Sequence, residues 1–115
     1  MAYERQYASQ APTREEVDAL PGAVVLEFGT GWCGHCSAAQ GAIETAFAAH
    51  PQVPHLKVED GRGRPLGRSF GIKLWPTLVF LRDGQERARV VRPDRTDEIA
   101  AGLAGIADGD DGASA

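Results

Sequence analysis

The sequence predicts an α/β domain in which a central mixed sheet of about four or five strands is flanked by helices on both faces. Three observations predict it. Ala23 to Phe28 is a nearly unbroken apolar run, as expected of a central strand covered on both sides. From there, strand-like and helix-like segments alternate in the order βαβα. The turn residues Arg82-Asp83-Gly84-Gln85 then separate two further strand-like runs, and a last helical pattern closes the domain.

In chain order, residues 1–12 read as a flexible N-terminal arm. Thr13-Arg14-Glu15-Glu16 has the spacing of a capping box and opens a short helix through about Leu20, which Pro21-Gly22 ends. The strand over residues 23–28 contains one polar side chain, Glu27. The next helix is expected from about Gly34 to Ala49, with Ala38, Ala39, Ala42, Ile43, Ala46 and Phe47 as its apolar stripe and Pro51 beyond its end. Val53 to Glu59 is the second strand, and a short helix begins near Pro65 with Leu66 and Phe70 facing inward. Thr77 to Leu81 and Glu86 to Val91 form the hairpin. Pro93-Asp94 opens the last helix, whose acidic residues Asp94, Asp97 and Glu98 suit the positive end of its dipole, with Ile99, Leu103 and Ile106 buried. Residues 13–107 thus make the domain, and the Gly/Asp/Ser/Ala tail at 108–115 is expected to be disordered.

A chain of 115 residues with 43% hydrophobic content can bury a core without disulfide staples, and a monomer is expected. Its net charge of −4 and pI near 5.3 give no electrostatic reason to bind nucleic acid or an anionic membrane surface. The charged start Met1-Ala2-Tyr3-Glu4-Arg5 lacks the apolar stretch of a signal peptide, so a cytoplasmic location is expected. In a reducing compartment a close cysteine pair is redox-active or metal-binding rather than structural.

Both cysteines lie in Trp32-Cys33-Gly34-His35-Cys36, where the first strand gives way to a helix through Gly29-Thr30-Gly31. A thiolate at Cys33 would sit at a helix N-terminus, where unpaired N–H groups favour negative charge. The C-x-x-C spacing brings the two sulfurs together across the first helical turn. Covalent haem attachment is disfavoured because Ser37, not histidine, follows Cys36. A zinc site needs more ligands in tetrahedral array than Cys33, Cys36 and the poorly placed His35 supply, so no metal is expected.

This order of elements, with W-C-G-H-C after the central strand and Trp75-Pro76-Thr77 before the hairpin, resembles the thioredoxin family over roughly residues 13–106. The resemblance implies the thioredoxin fold and reduction of protein disulfides through a Cys33/Cys36 dithiol. Cys33 is the implied exposed nucleophile that forms a mixed disulfide, and Cys36 the residue that resolves it. The Cys33–Cys36 disulfide is then the redox group, with no separate cofactor. Pro76 matches the family's cis-proline, expected to shape the substrate groove with Trp32, Gly34, His35 and Trp75. Glu27 falls where thioredoxins carry a buried aspartate, which makes it the candidate to take the Cys36 proton. The implied partners are protein disulfides and an electron donor such as a thioredoxin reductase or a glutathione system.

Several positions depart from the family pattern. His35 replaces the usual proline and gives the C-G-H-C of protein disulfide isomerases; when protonated it would stabilise a Cys33 thiolate and make the couple more oxidising. Trp75 is larger than the usual residue before the cis-proline, Gly29 replaces a frequent aromatic, and Arg92 falls near a glycine of the docking surface. Arg62, Arg64, Arg68 and Lys73 read as a solvated basic face, and His50 and His55 as surface residues. Disulfide oxidation or isomerisation, and a non-catalytic binding module on the same fold, stand as the alternative readings.

Overall fold

The first apolar run becomes β1, Ala23–Gly29, and it lies inside the sheet rather than at its edge. The computed structural model describes residues 3–107; the expected tail at 108–115 and the first two residues of the arm lie outside the described residues. β1 pairs in parallel with β2, His55–Glu59, and antiparallel with β3, Thr77–Arg82. β3 pairs antiparallel with β4, Gln85–Val91, to complete a four-stranded sheet of order β2-β1-β3-β4.

Side chains alternate across the sheet and so build two cores. Val25, Leu78 and Phe80 meet α2, Gly34–Ala48, and α4, Thr96–Ala107, through Ile43, Phe47, Ile99 and Leu103. Leu26, Phe28, Val79 and Leu81 meet Val17 of α1, Arg14–Asp18, and Leu66 of α3, Pro65–Ser69. The alternation sends Glu27 to the same face as Val25, the face that α2 covers. Gly102 lets α4 come close: a Cβ there would lie 2.6 Å from the Phe80 ring.

The capping box forms as expected, with Thr13 Oγ1 accepting the Glu16 N–H and Glu16 Oε1 accepting the Thr13 N–H. The hairpin closes on a two-residue loop, Asp83-Gly84, both at positive φ. That loop docks against the start of β1, where the Gly22 N–H donates to Asp83 Oδ1 at 2.8 Å.

Four expectations are corrected. The final helix begins at Thr96, not Pro93-Asp94, because the chain leaves β4 through Arg92 in the left-handed region and uses the next residues to cross to the face where α4 packs. β2 begins at His55, not Val53, whose N–H instead closes a turn onto the His50 carbonyl. Ala38 is exposed, on the outer side of α2. Residues 3–8 of the arm are not loose: Tyr7 bridges to Lys57, the Ala8 N–H donates to the Lys57 carbonyl at 2.9 Å, and Tyr3 packs on the α2/α4 core.

Candidate active site

Cys33 is the N-cap residue of α2, with extended backbone angles that turn its side chain over the first helical turn. Its sulfur accepts the Cys36 N–H at 3.2 Å, one of the donors a helix N-terminus leaves unpaired. The same geometry corrects the expectation of an exposed sulfur, since Cys33 is only 7% exposed. Cys36 lies one turn further in and is 2% exposed. Burial, followed by the hydrogen bond and charge shared with Cys33, pushes the Cys36 thiol up to about 11. Both cysteines are free thiols.

Cys36 fits against the end of β1 because Gly29 has no side chain. A Cβ there would stand 2.5 Å from Cys36 Sγ and 2.9 Å from the Tyr7 hydroxyl. Tyr7 donates to the Thr30 carbonyl at 3.0 Å, and its ring lies under the Lys57 ammonium.

Beneath the first turn of α2, Glu27 is fully buried with donors at both oxygens. His55 Nε2 lies 2.8 Å from Oε1, and Gln40 Nε2 donates to Oε2 at 2.8 Å. Gln40 also donates to the Cys36 carbonyl, which joins the carboxylate network to the turn that carries the thiols. Lys57 Nζ is 4.0 Å from Glu27 Oε2 and donates to Gln40 Oε1 at 3.2 Å.

His55 is therefore not a surface residue. Its ring is buried, stacked on Phe47 with centroids 4.4 Å apart, and its Nδ1 accepts the Glu4 N–H at 2.7 Å. With Nδ1 an acceptor, the ring proton sits on Nε2 and is donated to Glu27. The parallel register pairs Glu27 with Lys57, so Lys57 is the lysine beside the carboxylate.

The outer rim comes from loops. Trp32 is 77% exposed and meets Trp75 edge to face, with ring centroids 5.6 Å apart. Trp75 is anchored by its Nε1–H on Asp60 Oδ2 at 2.8 Å, and the Trp75–Pro76 peptide is cis. Gly34 and His35 are exposed in the first turn of α2. Arg92 donates through Nε to the Trp75 carbonyl and through its N–H to the Pro76 carbonyl, each at 2.8 Å. Next to Trp75 is a cleft of about 260 Å³ lined by Asp60, Arg64, Arg68, Ile72 and Lys73. Among the described residues, no three His, Cys, Asp or Glu side chains are grouped so as to hold a metal ion.

The sequence singled out Cys33, Cys36 and Glu27 as candidates but gave no sign of Tyr3, whose hydroxyl donates to Gln40 Oε1, or of Tyr7, Gln40 and Lys57 around them, and it misplaced His55. The signal for Lys57 lay in the pairing register, which places one residue of β2 beside Glu27. Tyr3 and Tyr7 carried no local signal, because the arm reaches the site only by adding to the edge of β2.

The family model described as thioredoxin matches residues 6–105. The chain belongs to the thioredoxin family. The reduced form of thioredoxin 2 from Pseudomonas aeruginosa PAO1 matches with a TM-score of 0.80 at 53% identity, covering 90% of this chain and 95% of that one. A thioredoxin from Chlamydia muridarum is 37% identical over 71 residues, 61% of this chain and 69% of its own length. A stretch of protein disulfide-isomerase A2 from Pongo abelii is 41% identical over 66 residues, 54% of this chain but 13% of the isomerase. The chain thus spans a small part of the isomerase and about two thirds of the Chlamydia thioredoxin. The four-stranded mixed sheet with helices on both faces is the thioredoxin fold.

Proposed function

We propose that this thioredoxin-family chain reduces protein disulfides through Cys33 and Cys36. The observation that carries the reading is the Cys33 sulfur at the α2 N-cap, accepting the Cys36 N–H at 3.2 Å. Negative charge on that sulfur is favoured by the helix terminus before any substrate arrives. The Cys33 thiolate attacks one sulfur of a substrate disulfide, forms a mixed disulfide and expels the other sulfur as a thiolate. Cys36 then loses its proton and attacks Cys33 Sγ. The Cys33–Cys36 bond forms, and the bond to the substrate breaks with its electron pair on the departing sulfur.

Glu27 is the proposed acceptor of the Cys36 proton, since it is a buried carboxylate tied through Gln40 to the helical turn that holds Cys36. Trp32, Gly34, His35, Trp75 and Pro76 form the rim on which an extended substrate would lie. A thioredoxin reductase or a glutathione system would regenerate the dithiol, with the protein acting as a cytoplasmic monomer. Reduction of insulin disulfides with dithiothreitol as donor tests the reading. Wild-type protein is expected to accelerate precipitation of the insulin B chain and Cys33→Ser to lose that effect; equal rates for the two would overturn it.

A further inference from the structure

The arm places a phenol where β1 has no side chain. Tyr7 adds to the edge of the sheet by its bridge to Lys57, and Ala8 N–H fixes that pairing on the Lys57 carbonyl at 2.9 Å. The Tyr7 hydroxyl then reaches over Gly29 toward Cys36. It and Cys36 Sγ flank one point, 2.9 and 2.5 Å respectively from where a Gly29 Cβ would be. A surface cleft of about 200 Å³ opens at the same place, lined by Tyr7, Thr30, Cys36, Gln40 and Lys57.

We propose that Tyr7 is a further catalytic residue, whose hydroxyl stabilises the Cys36 thiolate as it attacks the mixed disulfide. The proposal rests on the reading of Cys33 and Cys36 as a working dithiol. With Cys36 protonated, the hydroxyl donates to the Thr30 carbonyl. As Cys36 gives its proton to Glu27, the O–H turns about its C–O bond and donates to the sulfur; it gives up no proton. Tyr7 is suited to donate and not to act as a base. Burial, then the neighbouring charge of Cys36, holds its phenol above the ordinary range, while the nearness of the hydroxyl acts to lower the Cys36 thiol.

The other titratable and charged groups around Cys36 are Cys33 at the cap of α2, Arg5 on the arm, Glu27 on β1 and Lys57 on β2. None of these donates to the Cys36 sulfur in the hydrogen bonds described.

Mixing the reduced full chain with 5,5′-dithiobis(2-nitrobenzoate) separates the two steps. Attack by Cys33 releases one nitrothiobenzoate in a phase that scales with reagent concentration. Resolution by Cys36 releases the second in a phase that does not. Tyr7→Phe keeps the ring beneath Lys57 and removes only the hydroxyl. The expected result is a first phase within about twofold of wild type and a second phase slowed about tenfold, the scale of one hydrogen bond to a charged group. The pH profile of the second phase should also move to higher pH, which loss of packing alone would not produce. A second phase at the wild-type rate and with the wild-type profile overturns the role of Tyr7 and leaves the dithiol reading intact. A wild-type chain that never releases the second nitrothiobenzoate overturns both.

Discussion

His55 Nε2 and Glu27 Oε1 lie 2.8 Å apart with both side chains fully buried, an interaction between the first residue of β2 and the only acidic residue of β1. Because Nδ1 already accepts the Glu4 N–H, the histidine can meet the carboxylate only as a donor through Nε2. His55→Leu leaves Oε1 without that donor and the Glu4 N–H without its acceptor. The expected loss is about 1–3 kcal/mol of stability, the range for an orphaned buried polar group, read from the urea midpoint. A variant as stable as wild type would show that the pair contributes nothing net.

Glu27→Gln keeps the side-chain size and removes the carboxylate proposed to accept the Cys36 proton. Its resolution step should slow by about tenfold or more while the initial attack by Cys33 stays within about twofold, in the two-phase release of nitrothiobenzoate. Equal slowing of both phases would remove Glu27 from the role of base and leave it as a support for the helical turn.

The stability of the reduced protein should fall as pH rises from about 9 to about 11. Folding raises the Cys36 pKa from 9.0 to about 11, chiefly by burial, so over that range the unfolded chain releases a proton that the native chain keeps. The stabilisation is complete below the unfolded value and is lost as pH passes the folded one. Urea melts of reduced wild type and Cys36→Ala across this range check it, and matching slopes for the two would refute it.

His35 stands exposed in the first turn of α2, beside the cap. Replacing it by proline removes a positive charge that, when present, favours the Cys33 thiolate. The couple should become more reducing, by tens of millivolts on the order set by a surface charge near a helix terminus. Equilibration with glutathione measures it, and an unchanged or higher potential would count against an electrostatic role.

Arg92 holds φ at +50° while its side chain donates to the Trp75 carbonyl. Arg92→Ala loses the side-chain bond and keeps a Cβ in the left-handed region, whereas Arg92→Gly loses the bond and removes that strain. The glycine variant should therefore be the more stable of the two by about 1 kcal/mol in thermal melts. The reverse order would show that no strain resides there.

Much of the fold was legible because its signals are local. The capping residue Thr13, the apolar β1, the Asp83-Gly84 loop and the Pro65 helix start each depend on a few adjacent residues, and each appears in place. The start of α4 was not legible. Pro93 and the acids after it carry a valid helix-start signal, but the route from β4 to the packing face decides where the helix begins.

The site divides along the same line. Cys33 and Cys36 were readable because a C-x-x-C after a strand is contiguous in the chain, and the N-cap chemistry follows from that position alone. Glu27 stood out as one carboxylate in an apolar run. Sequence by itself thus determined the position of the paired sulfurs at the start of a helix, the acid buried in β1 and the strand–helix frame that carries them. Only the tertiary structure decided what surrounds them: His55 and Lys57 reach Glu27 through the β1/β2 register, and Tyr7 reaches Cys36 because the arm pairs with the edge of β2. Those contacts join residues far apart in the chain. Their partners are selected by strand register and by the space left at Gly29, and neither quantity is encoded in any short stretch of residues.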